Sequence, residues 1–139
     1  MYSFSETSRR KLDSCHPILV MIAERALELS QVDFGISEGH RSKETQIKYF
    51  REGKSKIDGV NKRSKHQYKP SMAFDVYIYV RGFPKLAYDV DHLCYLAGVI
   101  TAVGKGMGYK LRWGYNWDCD GVLREDQRFQ DLPHFELLL

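Results

Sequence analysis

Residues 73–80, Ala-Phe-Asp-Val-Tyr-Ile-Tyr-Val, alternate along their whole length. In an extended chain Phe74, Val76, Ile78 and Val80 fall on one face and Asp75, Tyr77 and Tyr79 on the other. Such a strand has an apolar face to cover and a face that can stay open. Asp75 lies on the open face, where a carboxylate on a core strand is well placed to line a cleft.

The covering elements are legible on either side. Pro17 suits a first helical turn and Ser14 can cap it. Ile18, Leu19, Ile22, Ala23, Ala26 and Leu27 then recur at helical spacing, to an end near Leu29. Val32, Phe34 and Ile36 alternate as a strand that Gly39 breaks, and Ser42 can cap a second helix holding residues 45–51. Asp89 or Asp91 starts a third helix, with Leu93, Leu96, Ala97, Ile100 and Val103 on its apolar side and Gly104, Gly106 and Gly108 ending it. Residues 111–115 and 135–139 are short strand candidates. The expected architecture is α+β, three helices on one side of a small antiparallel sheet. No repeat, low-complexity tract or linker divides the 139 residues, so one domain spanning 1–139 is expected.

A hydrophobic share of 43% against 28% charged excludes a disordered body. A net charge of +3 is too weak to argue for nucleic acid. The basic residues are uneven, however. Between residues 48 and 69, Lys48, Arg51, Lys54, Lys56, Lys62, Arg63, Lys65 and Lys69 face only Glu52 and Asp58. This stretch is either a solvated loop or a surface that approaches an anionic polymer such as a cell wall. Cys15, Cys94 and Cys119 are odd in number and far apart, the pattern of reduced thiols in a protein made in a cytoplasm. The polar first eleven residues do not form a signal peptide, and no run reaches the ~20 apolar residues of a membrane span.

Of the five histidines, His92 falls on the polar side of a helix and His16 precedes Pro17, where a capping or surface role suffices. His66 and His134 are different. His66 ends Ser64-Lys65-His66, ahead of Asp75, and His134 sits in Asp131-Leu132-Pro133-His134-Phe135-Glu136. Pro133 fixes the start of a strand in which His134 and Glu136 share one face. Two histidines and a carboxylate make a three-ligand zinc site with one position open, as catalysis requires. Asp131 is then a natural general base for an attacking water. The HExxH helix of common zinc peptidases is absent. Spacing alone is a weak signal and leaves ordinary hydrogen-bonded histidines as the alternative. Asn116, Asp118 and Asp120, followed by Gly121, match the first positions of a calcium loop. The twelfth position is Gln127 rather than Glu, which excludes a full EF-hand and leaves calcium or an Asx-rich turn. Tyr77, Tyr79, Tyr115 and Trp117 are the aromatic candidates for a substrate groove.

These segments, in this order, resemble the L-alanyl-D-glutamate endopeptidases of phages and bacteria, within the wider group of zinc D-Ala-D-Ala carboxypeptidases. His16-Pro17 with residues 23–29, Val32-Asp33-Phe34, Glu38-Gly39-His40-Arg41-Ser42, Ser64-Lys65-His66, Ala73-Phe74-Asp75, Leu111-Arg112-Trp113-Gly114 and residues 131–136 carry the likeness over most of the chain. It implies a carboxypeptidase-like zinc peptidase fold, one zinc on His66, Asp75 and His134, and Asp131 as the catalytic acid and base. It also implies Arg41 at the substrate carbonyl or developing oxyanion, and Ser64 and Glu136 orienting the ligands. Some members are similar at Asn116–Asp120, which extends the reading to control by calcium. The connection from His66 to Asp75 is longer than the family's usual one, with Lys69-Pro70-Ser71 in place of a glycine.

The resemblance implies an endolysin that cuts the L-Ala-D-Glu bond of the peptidoglycan stem. It is expected to be a monomer, made in a host cytoplasm and released to the wall by a holin, with no membrane insertion. The alternatives are a D,D-carboxypeptidase or dipeptidase acting on D-Ala-D-Ala, and a zinc-containing domain that only binds.

Overall fold

The computed structural model describes residues 1–123 and 130–139. Among them are four α-helices, α1 (Glu6–Asp13), α2 (Pro17–Leu29), α3 (Lys43–Arg51) and α4 (Val90–Gly106). The strands are β1 (Phe34–Glu38), β2 (Ala73–Ile78), β3 (Lys110–Trp113) and β4 (His134–Leu138). The sheet is antiparallel throughout, in the order β1-β2-β4-β3, so the last strand of the chain lies inside it.

The alternation of β2 produces the layering. Phe74, Val76 and Ile78 are buried, with Phe34, Ile36, Phe135 and Leu137, beneath the apolar stripes of α2 and α4. Asp75 and Tyr77 face the other way and are half-buried. Register then sets out two rows across that opposite face. Glu38 pairs with Asp75, and Asp75 with His134; Ala73 pairs with Glu136, and Glu136 with Arg112.

The α+β class is as expected, with a helix more than the three the sequence suggested. α1 escaped because only Ser8 and Leu12 of its eight residues are buried, too few to make a periodic stripe. Ser5 caps it, and it packs on β1. Ser14 is therefore the C-cap of α1 and does not cap α2. His16 takes that role, its Nδ1 accepting from the Ile18 amide at 3.2 Å. Gly104 and Gly106 lie inside α4, and the turn with positive φ is at Gly108. Gly104 packs closely: a Cβ there would lie 3.2 Å from the Leu111 side chain, which would have to shift by a few tenths of an ångström. Asp89 is the N-cap of α4. Val32 precedes β1, Val80 follows β2 and Tyr115 follows β3.

Candidate metal centre and cleft

Three segments converge on the open face of the sheet. A 3₁₀ turn, Lys65–Gln67, carries His66. Ser64 caps this turn by accepting from the His66 amide at 3.2 Å, and Gln67 Oε1 accepts from the Ser64 amide at 2.7 Å. The ring of His66 is then fixed through Nδ1, which donates to the Gly39 carbonyl at 2.7 Å. Gly39 must be glycine, since a Cβ there would lie 2.2 Å from the Lys11 carbonyl. His134 is fixed in the same manner, with Nε2 2.9 Å from Glu136 Oε1. Each ring thus uses one nitrogen on a neighbour and turns the other inward.

The inward atoms are His66 Nε2, His134 Nδ1 and Asp75 Oδ1. Their separations are 3.2 Å between the nitrogens, 3.2 Å from His66 to Asp75 and 3.0 Å from His134 to Asp75. When both rings are neutral, all three atoms are acceptors, and three acceptors at such distances repel unless a cation lies between them. A tetrahedral ion with bonds of ~2.0–2.1 Å has ligand–ligand edges of about 3.3 Å. The donor set therefore fits a divalent metal in type and spacing, and this buried His-Asp-His group can hold a metal ion. The eight residues between His66 and Asp75 do not prevent the two from meeting.

Protonation in the metal-free protein follows the same logic. Burial alone would push Asp75 up, but the opposing charge of His66 and hydrogen bonds from both histidines outweigh it and hold the carboxyl well below its usual range. Burial disfavours a charged His134, yet its hydrogen bonds to Asp75 and Glu136 raise it to about 10.

Asp131 reaches the same cleft by a backbone device. Its amide donates to the Gly114 carbonyl at 2.7 Å, its carbonyl accepts from the His134 amide at 3.0 Å, and Trp113 Nε1 holds the Leu132 carbonyl at 2.7 Å. Burial, then the charge of Asp75, pushes its carboxyl up to about 6, against the pull of His134, His66 and Arg41. Gly114 permits the approach, because a Cβ there would lie 2.1 Å from the Asp131 carbonyl. Gly114→Ala should displace this segment, costing about 1–3 kcal/mol of stability. Thermal unfolding alongside wall hydrolysis measures it; an unchanged Tm and rate would mean that the contact is dispensable.

The cleft, about 550 Å³, has the His-Asp-His group and Asp131 among its walls. Arg41 lines it too, held by a two-pronged ion pair to Glu38, a 2.6 Å hydrogen bond to Gln46 and the ring of Tyr49 4.7 Å away. Three of its five N–H groups are engaged and two remain.

Residues 1–138 match the family model described as phage L-alanyl-D-glutamate peptidase. The chain belongs to this family. The L-alanyl-D-glutamate peptidase of Escherichia phage T5 is 31% identical over 140 residues, covering 99% of this chain and 98% of the relative. Among solved structures, the Serratia marcescens L-Ala D-Glu endopeptidase ChiX superposes with a TM-score of 0.77 at 28% identity, covering 98% of this chain and 90% of that one. The resemblance read from the motifs is thus borne out, and so is the peptidase class of the fold.

For a peptidase of this family the remaining residues sort themselves. His66, Asp75, His134, Ser64, Glu136, Asp131 and Arg41 all line one cleft. Of the four aromatic candidates only Trp117 lines it, its ring 5.4 Å from His134. Tyr115 is core, Tyr79 points to solvent, and Tyr77 covers Gly35, whose Cβ would strike its ring. Within the basic stretch Lys54, Lys56, Lys62, Arg63 and Lys65 line the cleft, whereas Lys48, Arg51 and Lys69 do not. The oxygens of Asn116, Asp118 and Asp120 accept from the amides of Gly121, Asp120 and Val122 as an Asx-rich turn does. Gln127 lies outside the described residues. Gln46 was missed. It is fully buried, accepts from Arg41 and donates to Ser55 Oγ and the Ile57 carbonyl, joining the basic loop to the cleft. A glutamine beside the apolar positions of a short helix gives no sequence signal of that role.

Proposed function

We propose that the chain is a zinc endopeptidase that hydrolyses the L-Ala-D-Glu bond of the peptidoglycan stem, the activity named for its relatives. The observation that carries the reading is the buried set of three acceptors, spaced like the edges of a tetrahedron, in the wall of an open cleft that the Asp131 carboxylate also lines. His66, Asp75 and His134 hold the zinc. A zinc ion in such a site polarises the scissile carbonyl and makes a water acidic enough to attack near neutral pH.

The rest is supplied by the chain. Asp131 accepts the proton of the attacking water and returns it to the leaving amine. Burial, the largest cause acting on its carboxyl, raises its pKa and so favours that exchange. Arg41 offers its two remaining N–H groups to the substrate oxygen that becomes negative, and Glu38 and Gln46 hold its fork still. Glu136 and the Gly39 carbonyl keep each ligand ring in the tautomer that turns a lone pair inward. A domain that only bound its partner would have no use for Asp131. We read the protein as a monomer made in the host cytoplasm and passed to the wall by a holin; among the described residues no helix is long and apolar enough to cross a membrane.

Digestion of purified peptidoglycan, followed by mass analysis, tests the reading. New N-terminal D-glutamate is expected. Released D-alanine would replace this reading with the carboxypeptidase, and intact wall would reject both. Calcium enters as a second proposed ion, on Asn116, Asp118 and Asp120. Repeating the digestion with millimolar calcium should change the rate and the tryptophan emission, since Trp117 sits inside that loop; constancy of both removes calcium.

A further inference from the structure

The lip of the cleft carries more positive charge than its chemistry uses. Seven lysine and arginine side chains line it, against four carboxylates. Three of those carboxylates are already assigned: Glu38 to Arg41, Asp75 to the metal group and Glu136 to His134. Arg41 is likewise engaged. Arg112 is not. It stands on β3 directly across from Glu136, in the row next to that of the metal ligands. Its nearest anion is Glu136 Oε2 at 3.5 Å, a loose ion pair, because the other oxygen of Glu136 is held by His134. The Nε of Arg112 is buried and has no hydrogen-bond partner, the one such side-chain atom among the described residues. Buried donors are normally satisfied, so the orphan marks a guanidinium that its protein neighbours do not saturate, on a side chain that is 37% exposed in the cleft wall.

Lys65 lines the same cleft, its ammonium over the ring of Tyr68. Arg112 and Lys65 are thus two positive charges in the wall of the cleft that Glu136 also lines. Arg112 is one carboxylate and one imidazole removed from the metal-facing nitrogen of His134. The Arg112 guanidinium is a planar fork of a kind that suits a carboxylate.

The chemistry of the proposed bond says what such a fork would meet. The residue on the amine side of the cut is glutamate, which brings two carboxyl groups. When one of them continues the chain, the other stays free within a few bonds of the scissile nitrogen. We propose that Arg112 and Lys65 form a carboxylate subsite that recognises the free carboxylate of the glutamyl residue next to the cut bond. The subsite rests on the endopeptidase reading. It makes the enzyme sensitive to the charge at that position: a stem peptide whose glutamyl carboxylate is amidated presents a neutral group to two cations and meets the fork with one acceptor fewer.

Two stem peptides identical except for that group, one with the free carboxylate and one with the carboxamide, test the proposal. The metal-loaded wild-type enzyme should cleave the carboxylate form with a kcat/KM roughly 10- to 100-fold higher, the range for a charge-assisted contact. Arg112→Gln should bring its kcat/KM on the carboxylate peptide down toward that on the amide, mostly through KM, and Arg112→Lys should restore part of the preference. Metal content and Tm of each variant are measured with the kinetics, and Lys65→Gln provides a second, weaker reduction should Arg112→Gln not fold. Equal cleavage of the two peptides by wild type overturns the subsite and leaves the endopeptidase reading standing. A preference that persists undiminished in both Arg112→Gln and Lys65→Gln also overturns it. Cleavage of neither peptide at the Ala–Glu bond removes the endopeptidase reading, and the subsite with it.

Discussion

His134→Ala should leave the protein without metal and without measurable wall hydrolysis. Its Nδ1 is one of three inward acceptors, and the two that remain, His66 Nε2 and Asp75 Oδ1, cannot close a three-ligand site. The damage extends beyond the metal. Asp75 and Glu136 both hydrogen-bond to His134, and removing it leaves two carboxylates in a buried setting with a shared partner gone. Breaking a buried charged pair in this way costs about 3–5 kcal/mol. The stabilisation that a bound metal gives the folded state is lost as well. Elemental analysis and thermal unfolding, with and without added zinc, measure both effects. Metal retained at one equivalent in His134→Ala would show that the ligand set is wrong. His66→Ala should lose metal too, with a smaller loss of stability, since its other ring nitrogen is bonded to a backbone carbonyl and not to a second carboxylate.

Asp131→Asn separates base from ligand. The amide has the size of the carboxylate but cannot take up the water proton. Zinc should stay bound, and hydrolysis should fall roughly 10²–10⁴-fold, the usual contribution of a positioned acid/base. Asp75→Asn should behave differently, because exchanging an anionic ligand for a neutral one weakens the metal itself, so that zinc and activity decline together. The two variants are compared side by side for zinc content and rate. Near-normal hydrolysis by Asp131→Asn would remove Asp131 from the mechanism, and loss of zinc from it would place Asp131 among the ligands.

What the sequence made legible was whatever depends on neighbours along the chain. The period-two pattern of β2 put Asp75 on the open face, where the fold has it. Asp89 and Ser42 announced the helices they cap, because an N-cap acts on amides two or three residues away. The same local reasoning failed at Ser14, since nothing nearby shows that a helix of eight mostly exposed residues is held by β1. The metal-binding group was legible as residue types in the order of the family's motifs, while its spacing became visible only in three dimensions. The Glu38–Arg41–Gln46 network and the unsatisfied Arg112 were out of reach, because each depends on which strands and loops come to lie side by side.

The position of β4 has a consequence for how such an enzyme comes into being. It is the last strand in the sequence, yet it is inserted between β2 and β3, and it brings both His134 and Glu136. A nascent chain that has not yet delivered β4 has two strands without a common neighbour and a single histidine facing a single carboxylate. On the proposed ligand set, the step that inserts β4 between β2 and β3 is also the step that brings the second histidine to the site, so closure of the sheet and assembly of the site are expected together.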